Sequence, residues 1–249
     1  MGKEIRGIAR WPRMARDASM SEPRERPILF SSPMVRAILS GAKVQTRRIV
    51  KPQPVRDHEY LGGWAIKTKR SDTSVASINQ GIYPEACPYG KVGDRLWVRE
   101  TCKRGKLPHI LTGEPTKNEI AVYAADDEPC TEELGFDLVP WWKGPVCASI
   151  HLPRWASRIT LEITAVRIEQ LNCITDSDAR AEGIHCFKLP NGNVYGYDPK
   201  GTPGKMVMDS ATDAYAALWE KINGAGSWKI NPFVWVVSFK RIDATPNPR

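Results

Sequence analysis

The segment RPILFSSPMVRAILSGAKVQTRRIV, residues 26–50, holds a strand, a helix and a second strand in quick succession. Arg26–Ser31 is an apolar run of strand length. Ser32 and Pro33 then supply a helix start, serine as N-cap and proline at the first helical position. Met34, Ala37 and Ile38 recur at helical spacing, and Gly41 is placed to stop the helix. Lys43–Arg48 therefore leaves a helix and enters a strand through Ile49 and Val50, which Pro52 and Pro54 end.

Outward from this segment, further short elements follow. Val92-Gly93-Asp94 predicts a turn into the strand Arg95–Glu100, and Ile120–Tyr123 predicts another strand. Arg158–Ile168 alternates apolar and polar residues and is the clearest strand of the chain. Thr175 caps a short helix with Asp176 and Asp178 in its first turn, and Gly183 stops it. A helix is predicted from about Ser210 to Ile222, with Ala214, Ala217, Leu218 and Ile222 on one face. Asn231-Pro232 leads into a final strand, Phe233–Phe239. Many short strands with few helices predict an α+β fold: a small twisted β-barrel flanked by short helices.

The organisation predicted is a flexible N-terminal arm over 1–25, one domain over 26–240 and a loose tail over 241–249. Two long loop insertions interrupt the domain, at about 55–90 and 125–156, where Gly, Ser, Pro and irregular aromatics replace periodicity. Residues 187–205 read as a further loop, and 114–137 as an acidic loop or loose surface helix.

Composition narrows the function classes. The 249 residues can bury a substantial core, and 41% hydrophobic with 26% charged residues is ordinary for a globular protein. No apolar run reaches the roughly 18–20 residues of a membrane span, and the basic N-terminus has no signal-peptide core. A cytoplasmic protein without membrane attachment is expected. Six widely spaced cysteines with no Cys-x-x-Cys pair, and four histidines without ligand spacing, predict reduced thiols and no metal site. No cofactor motif occurs: Gly-x-Gly-x-x-Gly, the P-loop and Gly-x-Ser-x-Gly are all missing.

Charge is unevenly spread. Arg36 to Arg56 holds six basic residues and no acid, whereas 114–137 holds eight acids against Lys117 alone. A net charge of +8 clustered in this way predicts a polyanionic partner for the basic face. Arg36, Arg47, Arg48 and Lys51 are the candidate phosphate contacts. Trp142 and Trp155, beside Arg154 and Arg158, form a second candidate set, in which aromatics stack a base while cations hold its phosphates. The same tryptophans also suit a packing role over the end of the barrel.

Gly41-x-Lys43-x-x-Thr46-x-Arg48, the Gly93-Asp94 turn before a strand ending at Glu100, and Ala179-Arg180-Ala181-Glu182-Gly183 occur in that order. Together they resemble the ASCH domains, a branch of the PUA-like superfamily, and in particular the longer forms encoded by phages and prophages. The resemblance covers about residues 26–51, 91–124, 157–184 and 210–240. It implies a PUA-like barrel and a protein that handles RNA or a modified nucleoside. One branch of small family enzymes is an amidohydrolase that removes the acetyl group of N4-acetylcytidine. The residues matching its catalytic set are Lys43, Thr46 and Glu100. A threonine hydroxyl becomes a nucleophile only when a base takes its proton, a role for Lys43 if burial lowers its pKa; Glu100 could pass a proton to the leaving amine. The alternative is a non-catalytic RNA- or modified-base-binding module, in which Lys43 and Arg48 contact phosphate and Glu100 braces Arg48 or Arg99.

Overall fold

The computed structural model describes residues 22–56, 63–67, 72–108, 112, 115–130, 142, 144–190, 192–197 and 208–242. The strands in chain order are β1 (Glu25–Leu29), β2 (Gln45–Ile49), β3 (Val55–Arg56), β4 (Trp64–Lys67), β5 (Asp72–Ser74), β6 (Arg95–Arg99) and β7 (Cys102–Pro108). They continue with β8 (Pro115–Tyr123), β9 (Val146–Cys147), β10 (Thr160–Gln170), β11 (His185–Leu189), β12 (Gly192–Gly196) and β13 (Phe233–Ile242). Four α-helices lie among the described residues: α1 (Ser32–Leu39), α2 (Val75–Asn79), α3 (Asp176–Ala181) and α4 (Ala211–Asn223). The fold is α+β, and most of its regular structure is sheet.

The central sheet has the order β1-β6-β10-β13-β2, with β1 parallel to β6 and the other pairs antiparallel. Strand alternation gives it two buried faces. Ile28, Phe30, Leu96, Val98, Trp235, Val237 and Phe239 point into one core. Val234 and Val236 point the other way, into a second core with Ala179 of α3 and Ala214, Tyr215 and Trp219 of α4. This two-sided cover explains why the first five residues of β13 are all buried and all apolar. In β10 the register shifts between Ile163 and Ala165, so Ile159, Leu161 and Ile163 before the shift, and Ile168 after it, all reach the same core.

The two edge strands curl toward each other. Arg48 of β2 donates to the Leu29 carbonyl at the end of β1 at 2.6 Å, and its guanidinium lies 5.4 Å from the centre of the Phe30 ring. No backbone ladder joins β1 to β2 among the described residues, so the sheet is curved and open rather than a closed barrel.

Two segments expected as loops carry regular structure. Within 55–90, β3, β4 and β5 form a small antiparallel sheet that leads into α2. Ile66, Ile78 and Cys87 of this segment enter the first core, and Asn79 ties it down by accepting from the Ile168 N–H and donating to the Ile168 carbonyl. Burial of these few apolar side chains outweighs the Gly and Ser content that suggested a loop. Strands β11 and β12 pair antiparallel, with Leu189 opposite Gly192, whose φ is +133°. Within the acidic stretch 114–137, Pro115–Tyr123 is strand β8, while 114 and 131–137 lie outside the described residues, as do 1–21 of the expected arm and 243–249 of the expected tail; Glu25 already belongs to β1, and β13 runs on to Ile242. The third sheet, β8-β7-β9, carries its own core of Cys102, Ala121, Tyr123, Cys130, Cys147, Leu152 and Ala156.

The helix caps follow the sequence closely. The Thr175 side chain accepts from the Asp178 N–H, the Ser210 side chain from the Asp213 N–H, and α1 begins one residue earlier than expected, with Ser31 at the N-cap. After α3 the chain turns at Gly183, whose φ is +99°. A Cβ there would lie 3.2 Å from the Ala37 Cβ and 3.3 Å from the Lys43 Cβ. The positive φ favours glycine, and a Cβ would make these two neighbours give by a few tenths of an ångström. Gly183→Ala should lower the free energy of unfolding by about 1–3 kcal/mol in a denaturant titration; an unchanged midpoint would show that this turn is not constrained.

Candidate functional site

The chain leaves α1 through Ser40 and Gly41 (φ +77°), and the Lys43 N–H then bonds back to the Ala37 carbonyl at 2.9 Å. This turn directs Lys43 inward, where it is 2% exposed. Lys43 pairs with Glu182 in an isolated antiparallel bridge, and the Val44 N–H donates to the Ala181 carbonyl at 2.9 Å. The end of α3 is thereby laid along the free edge of β2. The Lys43 Nζ donates to the Glu182 carboxylate Oε2 at 2.6 Å and to the Glu182 carbonyl at 2.8 Å.

Alternation in β2 sorts the following residues. Thr46 and Arg48 lie opposite Val237 and Trp235, on the Phe30 side of the sheet. Gln45, Arg47 and Ile49 face the α3–α4 side. Arg47 is 4% exposed and is surrounded by carboxylates: Glu169 at 2.7 Å, Asp178 at 3.1 Å and Glu182 at 3.3 Å. Gln45 accepts from its Nη1 at 2.7 Å, and its guanidinium lies 5.9 Å from the centre of the Tyr215 ring. Arg167 bridges Glu169 and Asp178 from outside, each at 2.9 Å. Glu182 thus joins two buried cations, one on each oxygen.

Burial pushes the Lys43 pKa below its ordinary value, against the opposing pull of Glu182; Arg48 and Arg47 add to the lowering. Arg47 moves the other way: burial opposes its charge, but Glu182 and Glu169 outweigh it. Burial also pushes the Tyr215 hydroxyl well above its usual value, with Glu182 adding to the rise.

A cleft of about 480 Å³ opens beside this cluster, between β2 and α4, with Thr46, Arg47, Arg48, Glu182, Tyr215 and Trp219 in its walls. A larger groove of about 760 Å³, its mouth included, continues between α1 and α4 and is mostly apolar. Met34, Glu182, Leu218 and Ile222 belong to both.

The other expected site residues lie elsewhere. Glu100, 1% exposed, receives two bonds from Arg158, at 2.9 and 3.0 Å. Arg158 also reaches Asp126 at 2.9 Å and covers the Tyr123 ring at 3.9 Å. Burial raises the Glu100 pKa and Arg158 opposes the rise. The polar contacts of Glu100 are with Arg158, and those of Lys43 are with Glu182, so the three expected catalytic residues divide between two clusters. Arg154 is held by Glu25 at 2.8 Å, and Trp142 and Trp155 pack against the third core. Arg36 donates to the Ala125 carbonyl at 2.8 Å, and Lys51 is exposed just after β2. Of the eight cations and aromatics expected on a nucleic-acid face, Arg47, Arg154 and Arg158 spend their charge on carboxylates. Glu182, Tyr215 and the Glu169/Asp178 pair were not expected at the site. Glu182 stood in the Ala-Arg-Ala-Glu-Gly segment, 139 residues from Lys43, and only the fold brings the two together.

Among the described residues no three His, Cys, Asp or Glu side chains converge to hold a metal ion, and no helix is long and apolar enough to cross a membrane. Comparison with protein-family models, curated proteins and solved structures returns no match.

Removing one partner of a buried ion pair strands the other charge. Lys43→Met should therefore cost about 3–5 kcal/mol of stability by chemical denaturation, and adding Glu182→Gln should recover part of that loss. Strictly additive effects of the two substitutions would contradict the pairing.

Proposed function

We propose that the chain is an amidohydrolase of the ASCH, PUA-like type that removes an acyl group from an N4-acylated cytidine or a closely related modified base. The observation that carries this reading is the buried Lys43 amine bonded to Glu182, a carboxylate that lines a cleft together with Thr46 and Arg48. A buried lysine with a lowered pKa beside a cleft is a common mark of a catalytic base. The Lys43–Glu182 contact also joins the first and third of the segments that resemble the family, which supports the assignment; the curled sheet would be this chain's version of the PUA-like barrel.

The chemistry follows from the donors. The active form is reached when the ion pair loses its proton: deprotonated Lys43 has two N–H groups and one lone pair. Its two N–H groups go to the Glu182 carbonyl and carboxylate; on this reading the remaining lone pair takes the Thr46 hydroxyl proton once substrate brings the two groups together. The Thr46 Oγ then attacks the acyl carbon, with Arg48 beside the developing oxyanion. The proton gained by Lys43 passes through Glu182 to the departing N4 nitrogen, and cytidine leaves. Water, deprotonated by the same amine, hydrolyses the acyl-threonine ester; the acid is released and Thr46 is restored. Glu182 rather than Glu100 is assigned the proton transfer, because Glu182 is the carboxylate that touches Lys43.

The competing role, a module that reads phosphates without turnover, draws on Arg36 and Arg48. Arg36 donates to the Ala125 carbonyl and Arg48 to the Leu29 carbonyl, and they pair with no carboxylate among the described residues. Such a module would weaken steeply with salt.

Incubation with N4-acetylcytidine separates the two. Wild type should release cytidine and acetate, Thr46→Ala and Glu182→Gln should each lose at least about 100-fold in kcat, and Glu100→Gln should stay within about tenfold. No release by wild type would sink the hydrolase; full activity of Glu182→Gln with loss in Glu100→Gln would move the proton transfer to Glu100. The rate should rise with pH as Lys43 loses its proton, with a midpoint below the ordinary lysine value of 10.5. The sign is that of a group depressed in the folded state: its stabilising share is complete above 10.5 and is lost as pH falls through the folded-state value.

A further inference from the structure

The cleft and the groove are lined by donors in excess of acceptors. At the inner end, the Arg47 Nε and the Trp219 Nε1 are buried and have no hydrogen-bond partner, although both residues stand in the cleft wall and are only 4% and 5% exposed. Unsatisfied buried N–H groups are rare in folded proteins and carry a free-energy cost that an incoming acceptor relieves. The one carboxylate in the lining, Glu182, already holds Lys43 on one oxygen and Arg47 on the other.

At the outer end stands Lys221, on the exposed side of α4. Its Nζ donates to the Tyr197 hydroxyl at 3.0 Å and lies 5.0 Å from the centre of that ring. Among the described residues it has no carboxylate within ion-pair distance, yet it forms part of the groove wall. The rest of the groove is mostly apolar, with Pro33, Met34, Ala37, Leu218 and Ile222 around the already paired Glu182. The walls of the cleft and groove thus combine two residues with unpaired buried N–H groups, a mostly apolar stretch and the cation of Lys221. That combination is complementary to a base carbonyl, a ring face and an anionic group.

We infer that this slot takes a nucleoside monophosphate unit, with a base carbonyl oxygen toward the Trp219 and Arg47 N–H groups and the phosphate on Lys221. The inference rests on the hydrolase reading for its choice of base, and it adds that the substrate carries a phosphate. The phosphate belongs either to a free mononucleotide or to a nucleic-acid strand, since both present the same anion to Lys221. A charge-assisted contact at a partly exposed site corresponds to a preference of roughly tenfold.

The test compares N4-acetylcytidine, its 5′-monophosphate and a short single-stranded oligonucleotide containing N4-acetylcytidine. Wild type should favour the monophosphate over the nucleoside by about tenfold in kcat/KM, and Lys221→Met should bring that ratio close to one. Lys240→Met, at a lysine paired with Glu162 away from the groove, should leave the ratio as in wild type. Turnover of the oligonucleotide at the monophosphate's efficiency would identify a strand as the source of the phosphate; much weaker turnover would identify the free nucleotide. Equilibrium dialysis of the same compounds provides a readout independent of hydrolysis. If nothing is hydrolysed but the monophosphate binds more tightly than the nucleoside, and Lys221→Met removes the difference, the slot stands and the hydrolase reading falls. Hydrolysis with equal efficiency for nucleoside and monophosphate would overturn the slot and leave the hydrolase. Absence of binding by all three would overturn the slot as well. Trp219→Phe, which keeps the ring and removes the N–H, should weaken nucleoside and monophosphate alike by about tenfold; a selective effect on the monophosphate would contradict the orientation.

Discussion

The contact between the Lys43 ammonium group and the Glu182 side chain sets the arrangement of this molecule around its cleft. It joins the strand–helix–strand unit at the start of the domain to a short helix more than 130 residues later, across the free edge of β2. Taking a lysine and a glutamate out of water is expensive, and their mutual attraction repays that only with close geometry and further hydrogen bonds. Close geometry and further hydrogen bonds are both present, yet at Lys43 burial still outweighs the attraction and lowers its pKa. The lysine has two oxygen acceptors from one residue, and the glutamate has a second cation in Arg47, which Glu169 and Asp178 balance in turn. Gly183 makes the approach possible, because any larger residue at that turn would press on the Lys43 side chain.

The site inherits its rigidity from the two cores. Thr46 and Arg48 are fixed by the strand pairing with β13, whose own side chains are locked on both faces. Arg47 is fixed by its ring of carboxylates. A side chain held from several directions keeps its geometry when substrate arrives, which is the condition for electrostatic stabilisation of a transition state. The same packing removes Arg47 from the surface, and ion pairs occupy Arg154 and Arg158. The basic character of the chain is therefore spent partly inside the protein, where it buffers buried carboxylates, and partly at the surface around Arg36, Arg48 and Lys51.

Much of this was legible in the sequence because it is local. The cap at Thr175, the helix start near Ser210, the stop at Gly41, the alternation of Arg95–Arg99 and the apolar run of β13 are read from neighbouring residues, and the structure has them within a residue or two. What could not be read is what depends on long-range contact. Nothing near Lys43 indicates whether its carboxylate partner is Glu100 or Glu182, since both stand at the ends of regular elements far along the chain. A basic cluster in sequence likewise does not say which arginines turn inward; β2 alternates, so Arg47 and Arg48 part company although they are neighbours. The segment 55–90 misled through composition, because two isoleucines and a cysteine are enough to draw a Gly- and Ser-bearing stretch onto the core. That the sheet curls without closing was also out of reach of local pattern, since its edges meet through Arg48 and Phe30 rather than through a backbone ladder.

The central claim is that Lys43 is a buried amine with a lowered pKa held by Glu182. Titration of the Lys43 Nζ by 15N NMR, with lysine labelled and the resonance assigned through Lys43→Arg, addresses it directly. The account predicts a midpoint below the ordinary lysine value, shielded from rapid solvent exchange and displaced when Glu182 becomes glutamine. An Nζ that titrates with the surface lysines, exchanges as fast as they do and ignores Glu182→Gln would contradict it.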